Sequence, residues 1–254
     1  NLILMNSTSS RFPNGLGNDN GLLGKYVAFH NYRAGVSGEF EGLEEYTTTG
    51  GRPTSGYFPR FRNVYKQETD FLRGYAAGFS AGRGVRPNTE GLGMDLKNSL
   101  LNPDQYGPWY VGSHMMGETI PKESNYVALD PNLKDEWGMP QLKISVEYDD
   151  NDEKMVKDYL EQMTEMFEKA GVTNIRTRDD HRAPGLDSHE MGGVRMGKDP
   201  KTSLLNAHHQ LHAVPNVYVT DGASMTSTST QNPSLTYMAF AARAAHHAVA
   251  ESKK

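Results

Sequence analysis

The chain has 254 residues, enough to bury a substantial core in one large domain or two smaller ones, and its 26 glycines and 13 prolines predict a loop-rich mixed fold. The net charge of −5, without a block of basic residues, argues against nucleic acid as a partner. Because the chain has no cysteine, disulfides, thiolate catalysis and cysteine-bound metals are excluded.

The N-terminal segment, NLILMN, lies inside an apolar run with no initiator methionine, no basic region and no signal-peptide cleavage pattern. We therefore expect the chain to be part of a longer one, and we assign no compartment, cytoplasmic or periplasmic. Residues 7–24 are polar and glycine-rich, which predicts a loop, and their GxGxxxG spacing does not match the dinucleotide-binding fingerprint. No apolar run approaches the roughly 18 residues that a membrane span needs.

Residues 26–93 alternate short aromatic or β-branched runs with glycines, which predicts short strands joined by tight turns. Arginines lie among Tyr and Phe here, and side chains extended over a sheet surface are favoured over the alternative, a polar substrate cleft. Further strands are predicted at residues 109–116 and 125–129, the second followed by turn residues at 130–132. The arginines are Arg60, Arg62, Arg73, Arg83 and Arg86.

Residues 141–148 show the clearest strand pattern, because apolar and polar residues alternate and so predict one core-facing side. A helix is predicted from the acidic residues 149–152 to Ala170, with Gly171 as its stop, and its methionines indicate core packing rather than a cofactor site. A return strand is expected at 172–177. The region is therefore predicted to be α+β, with helices on one face of a mainly antiparallel sheet. The core-facing residues of the clearest strand are Leu142, Ile144, Val146 and Tyr148.

Residues 216–250 combine a short strand at 217–220, a sharp turn at Asp221-Gly222 and a helix that begins at Asn232-Pro233. Asn232 is expected to accept a bond from a free N–H of the first turn, and Pro233 suits the first helical position because its missing N–H has no partner there anyway. This helix end is electropositive and suits an electron-rich ligand. The apolar residues that recur on one face of the helix are Leu235, Met238, Ala242, Ala245 and Val249.

Histidines are the most suggestive residues for chemistry, since no nucleophile elbow, P-loop, HExxH or EF-hand pattern occurs. In NAHHQLH, His208 and His212 would clamp a metal only in a helix, and no nearby carboxylate completes a site, so no metal site is predicted. His246 and His247 are expected to complement the dipole of the final helix. His189 lies in a glycine-rich loop, where a lone histidine is more often structural than catalytic.

Three blocks, SHEMGGVRMG (residues 188–197), NVYVTDGASM (216–225) and NPSLTYMAFAARAA (232–245), together resemble the C-terminal signature of the glucose-methanol-choline (GMC) family of flavoprotein oxidoreductases. They occur in the family's order and at similar separations. Residues 117–131 resemble part of the family's substrate domain, and residues 4–27 resemble the stretch that follows its FAD-binding half. The resemblance therefore covers most of the chain.

The resemblance implies an FAD enzyme that oxidises an alcohol to a carbonyl. His189 matches the family's catalytic histidine, which takes the hydroxyl proton while hydride passes to the flavin, and a neutral imidazole is suited to that task. Asn232 matches its His-or-Asn partner, which orients the same oxygen. The resemblance also implies that the cofactor is approached by Asp221, Gly222, Asn232 and Pro233.

The domain organisation that the resemblance implies has three parts. Residues 1–25 would be a residual FAD-domain segment and linker, residues 26–187 the substrate-binding domain, and residues 188–254 the loop, strand and helix that complete the FAD domain. The family's GxGxxG turn is missing, so the chain is expected to be the C-terminal portion of a longer enzyme.

The sequences of the three blocks are most similar to those of sugar-oxidising members of the family, which favours a sugar or polyol substrate. The electron acceptor and the oligomeric state stay open. Gly193 stands where many family members have a threonine, a departure from the pattern of that loop. The alternative function is a carbohydrate-binding or assembly domain without catalysis of its own.

Overall fold

The computed structural model describes residues 1–46, 55–83, 92–101, 107–186 and 189–253, and Arg86 and Ser188 lie outside the described residues. The chain forms two compact units. Unit 1 comprises Asn1–Asn31, Gly117–Asp152 and Arg182–Lys254, and unit 2 comprises Tyr32–Met116 and Glu153–His181. In chain order the described residues form α1 (Leu2–Asn6), β1 (His30–Asn31), β2 (Ala34–Phe40), β3 (Ser55–Phe58), β4 (Tyr75–Gly82), α2 (Met94–Leu101), β5 (Trp109–Glu118), β6 (Tyr126–Lys134), β7 (Pro140–Ser145), α3 (Asp150–Lys169), β8 (Thr173–Asp179), β9 (Gln210–Leu211), β10 (Val214–Tyr218), a 3-10 turn (Gly222–Ser224) and α4 (Ser234–Glu251).

The predicted α+β class is confirmed, because antiparallel sheets and a few helices make up the described elements. In unit 2 the strands lie in the order β3-β4-β5-β2-β8. Strand β2 pairs antiparallel with both β5 and β8. Its alternate residues Ala34 and Val36 belong to the hydrophobic core of the unit. The strands predicted at residues 109–116 and 172–177 correspond to β5 and β8 and are confirmed.

Helix α3 supplies much of the core of unit 2, as its periodicity predicts. Met155, Tyr159 and Met163 have no exposed surface and belong to one cluster with residues of β2 and β4. The helix ends before Gly171, whose φ of 80° is the left-handed conformation that glycine adopts at little cost. The methionines on this helix are therefore core residues, and this prediction is confirmed.

Two of the predicted arginines, Arg60 and Arg62, bond to groups inside unit 2. Arg62 donates two hydrogen bonds of 2.9 Å to the Asp158 carboxylate, which also accepts a 2.6 Å bond from the Tyr75 hydroxyl. Arg60 donates to the carbonyls of Arg62 and Asn63. For Arg60 and Arg62, neither an open sheet surface nor a substrate cleft describes the guanidinium group, because Arg62 bonds to α3 and Arg60 bonds to carbonyls of the loop before β4.

The hairpin of β6 and β7 in unit 1 differs from its prediction in two ways. Strand β6 does not end at Leu129 but continues to Lys134, with a register shift where the Asp130 carboxylate accepts bonds from the N–H groups of Asn132 and Leu133. The turn residues therefore kink the strand without ending it. The prediction that Leu142 and Ile144 face a packed core is wrong, since both are exposed and line an open cavity.

Helix α4 packs by a different face from the one that its apolar periodicity predicts. Leu235, Met238 and Val249 are 78%, 68% and 53% exposed, whereas Ala244 is buried. Phe240 contacts the His209 ring from the face that also carries Ala244. The predicted cap at Asn232 is also wrong, because Pro233 occupies the cap position and no side-chain cap hydrogen bond is formed there among the described residues.

The histidine-rich segment has structural partners in unit 1. His208 stacks on His247 with ring centroids 3.9 Å apart, and His247 Nδ1 lies 3.2 Å from the Tyr218 hydroxyl rather than simply facing the helix dipole. His212 Nε2 lies 3.1 Å from the Ser203 hydroxyl oxygen. In the described part of the chain no group of three or more His, Asp or Glu side chains is arranged to hold a metal, and no helix is long and apolar enough to cross a membrane.

Candidate active site

The loop that carries His189 is held in unit 1 by a series of backbone hydrogen bonds. Met191 and Ala28 exchange two bonds of 2.8 Å, which fixes the loop beside the chain that leads into β1. Three backbone N–H groups of the loop then donate to carbonyls of the 3-10 turn, with N to O distances of 3.0 to 3.1 Å. The donor and acceptor pairs are Gly192 to Gly222, Val194 to Ala223 and Met196 to Ser224. These contacts join the His189 loop to the 3-10 turn, although the two segments are separated in the sequence.

Two glycines are required by this close packing. Gly192 has a φ of +87°, and a Cβ there would lie 2.3 Å from the Tyr26 carbonyl oxygen. A Cβ on Gly222 would lie 2.8 Å from the Tyr237 hydroxyl and 3.0 Å from the Glu190 carbonyl oxygen. Gly222 is therefore the point at which the His189 loop, the 3-10 turn and the first turn of α4 meet.

Asp221 has a structural partner in its own turn. Its carboxylate accepts a 3.0 Å hydrogen bond from the Ala223 N–H and so caps the 3-10 turn. Asp221 and Gly222 both line a cavity of about 520 Å³, which also has Glu190 and Gly192 in its wall. The predicted cofactor residues of the turn thus lie at the edge of an open, largely apolar space.

The first turn of α4 presents an unpaired hydroxyl group, that of Tyr237, beside this 3-10 turn. Pro233 is buried at the cap position, and the N–H of Tyr237 bonds to its carbonyl at 3.0 Å. The Tyr237 hydroxyl is buried without a hydrogen-bond partner among the described residues. Burial, with the nearby Asp221 and Glu190 carboxylates, raises the pKa of Tyr237, which therefore keeps its proton.

The structure brings together the two side chains that the sequence resemblance singles out as catalytic. The amide nitrogen of Asn232 lies 3.4 Å from Nε2 of His189. Asn232 follows a loop in which Ser229 has a φ of 54°, and the Ser227 hydroxyl in that loop donates to the buried Glu118 carboxylate. The loop is thus tied to the end of β5, which limits how far Asn232 moves.

His30 is a buried member of this cluster that the sequence reasoning missed. Its side chain is 1% exposed, and its ring meets the His189 ring edge-to-face with centroids 5.0 Å apart and planes at 83°. Burial, assisted by His189, lowers the pKa of His30 to about 4. The available signal was a histidine inside an otherwise apolar strand pattern, VAFHN, but nothing in that pattern indicates which residue it meets.

Comparisons with known proteins bear on this arrangement. Residues 121–241 match the family model described as GMC oxidoreductase. The chain is 31% identical to 2-methyl-1,2-propanediol dehydrogenase of Mycolicibacterium austroafricanum over 95% of its length and 44% of that protein. It is 25% identical to the fructose dehydrogenase large subunit of Gluconobacter japonicus, covering 96% of the chain and 44% of the relative. It is 28% identical to paromamine 6'-oxidase of Streptomyces fradiae, covering 96% and 42%. The chain thus spans less than half the length of these curated relatives.

Proposed function

The chain belongs to the GMC oxidoreductase family through residues 121–241, and on that premise we propose that it is the C-terminal part of an FAD-dependent enzyme that oxidises an alcohol group of a sugar or polyol. The observation that carries the proposal is the His189 and Asn232 pair, whose side chains lie 3.4 Å apart. One substrate oxygen beside this pair would lie within hydrogen-bond reach of both the imidazole and the amide.

His189 is proposed as the general base. An alcohol hydroxyl has a pKa far above 7, so its proton must be taken by a base as the carbon loses hydride. A neutral imidazole nitrogen within hydrogen-bond reach performs this transfer. Asn232 donates to the same oxygen and holds the carbinol in one orientation, which reduces the entropy that must be lost on the way to the transition state.

The residues present fit a bound flavin. The first turn of α4 has no side-chain cap, so its N–H groups and the positive end of the helix dipole are available to an electron-rich group. In this proposal Asn232 and Pro233 at the start of α4, together with Asp221 and Gly222 in the cavity wall, would hold the cofactor. FAD, when bound, supplies the hydride acceptor.

The substrate class is proposed from the relatives. Their names describe enzymes acting on a 1,2-diol, on fructose and on paromamine. A sugar or polyol with adjacent hydroxyls is the chemistry that these names share most nearly. Both dehydrogenases and oxidases occur among them, so the proposal covers the alcohol and assigns no electron acceptor. No described feature favours the alternative of a non-catalytic carbohydrate-binding domain.

The test uses the complete protein that carries this chain. It is expected to purify with a flavin absorbance spectrum, and the flavin is expected to lose its colour when a polyol or sugar is added without oxygen. A parallel sample with a simple primary alcohol measures how much the additional hydroxyls contribute. A fully folded complete protein that is colourless and takes up no added FAD would overturn the proposal.

A further inference from the structure

The contact between Asn232 and His189 bears on which nitrogen of the His189 ring carries the proton. The Asn232 amide nitrogen donates and does not accept, so its 3.4 Å contact with Nε2 of His189 is a hydrogen bond only when Nε2 carries a lone pair. A neutral imidazole with a free lone pair on Nε2 carries its proton on Nδ1. This is the tautomer that a base acting through Nε2 needs.

Nδ1 of His189 then needs an acceptor. It is buried and makes no hydrogen bond within the described part of the chain. A buried N–H without a partner is unfavourable, which would favour the other tautomer. The ring in contact with His189 is that of His30, and both nitrogens of His30 are likewise buried and unpaired among the described residues.

We propose that His30 is a positioning residue whose unprotonated ring nitrogen accepts the Nδ1–H of His189 through one bridging water, and so holds His189 in the base-competent tautomer. This inference rests on the proposed function, because it assigns the base its tautomer. The low pKa of His30, caused first by burial, keeps its ring neutral and able to accept. A neutral acceptor selects the tautomer without placing an additional charge in the buried cluster.

The surroundings of His30 suit this arrangement. The carbonyls of Gly117, Ser229 and Gln231 face its ring and oppose part of the pKa shift, although none forms a hydrogen bond of ordinary geometry. A neutral His30 has a single N–H, which these carbonyls surround without a formed bond, and its other ring nitrogen keeps a lone pair that is available to His189. Glu118, opposite His30 in the strand pair, already accepts from Ser227 and belongs to the same loop anchor.

The experiment compares two substitutions in the complete, flavin-loaded protein. His30→Phe keeps the ring contact but removes the acceptor, whereas His30→Gln removes the ring but keeps an acceptor oxygen. The matched control is His209→Phe, because His209 is also fully buried at 0% exposure and has a ring contact of 5.0 Å, with Phe240. Samples labelled with ¹⁵N in histidine report the protonated nitrogen of His189, whose signals are identified by their loss in His189→Ala.

The expected result is a His189 ring protonated on Nδ1 in the wild type and in His30→Gln, and a mixture of tautomers in His30→Phe. Anaerobic flavin reduction by the substrate is expected to slow about 10- to 100-fold in His30→Phe, to recover in His30→Gln, and to stay near the wild-type rate in His209→Phe. Melting temperatures and flavin content separate this pattern from a loss of fold.

The inference is overturned if wild-type His189 is protonated on Nε2, or if His30→Phe leaves both the tautomer and the rate unchanged. It is also overturned if His30→Gln is impaired as much as His30→Phe. Failure of the proposed function is a different result, since the wild-type protein would then lack flavin or would not be reduced by any alcohol.

Discussion

Replacing His30 by phenylalanine is expected to change how the stability of the protein depends on pH. Burial lowers the pKa of His30 from 6.5 to about 4 in the folded state. As the pH falls from 6.5 to about 4, the unfolded chain binds a proton on this ring and the folded protein does not, so stability is lost across that window. The full difference corresponds to about 3 kcal/mol.

Asp152, buried in the same unit, contributes with the opposite sign. Burial, the largest cause, raises the pKa of its carboxyl from 3.8 to about 7. Its contribution is fully present below pH 3.8 and is lost as the pH rises to about 7, because the unfolded chain gives up its proton first. This difference corresponds to about 4 kcal/mol, so the two residues nearly cancel in the wild-type protein.

The assay is urea unfolding of the wild type and of single and double variants between about pH 4 and 8. His30→Phe is expected to show a free energy of unfolding that falls by about 3–4 kcal/mol as the pH rises, because only the Asp152 contribution remains. Asp152→Asn is expected to show a rise of about 3 kcal/mol, and the double variant is expected to return to the shallow wild-type slope. Slopes in both single variants that equal the wild-type slope would refute the reasoning.

Three further predictions test other parts of the structure. His189→Ala in the complete protein is expected to lower the rate of flavin reduction by about 10²- to 10⁴-fold with flavin still bound, as measured by stopped-flow absorbance, and an unchanged rate would identify a different base. Gly222→Ala is expected to destabilise the protein by about 1–3 kcal/mol, because its Cβ would lie 2.8 Å from the Tyr237 hydroxyl, and Tyr237→Phe in the same protein is expected to recover part of that loss in thermal unfolding. Met163→Ala is expected to cost about 2–5 kcal/mol in urea unfolding, since the side chain has no exposed surface, and a cost near zero would contradict its place in the core.

Local pattern was sufficient where an element is specified by its own residues. Helix α3 has apolar residues at helical spacing, acidic residues at its start and Gly171 after its end, and each of these signals agrees with the structure. The strands expected at residues 109–116 and 172–177 likewise correspond to β5 and β8. Such signals are short-range, so they do not depend on which part of the chain packs nearby.

Pattern failed where a partner decides the outcome. Periodicity shows that α4 has apolar faces, but the face that is buried is the one that meets His209, and Leu235 and Met238 stay exposed. The alternation of β7 likewise indicates an apolar side without showing that Ile144 would line a cavity. Asn232 illustrates the same limit, since its side chain turns to His189 instead of capping the helix.

The sequence by itself determined the α+β class, the strongest helix and strands, and the blocks whose family resemblance singles out His189 and Asn232. Only the tertiary structure decided that His30 joins them, because the three residues lie in segments far apart in the chain. No periodicity or spacing in the sequence predicts which residue a buried histidine will contact. Its low pKa and its contact with His189 arise only when those segments fold around it and exclude water.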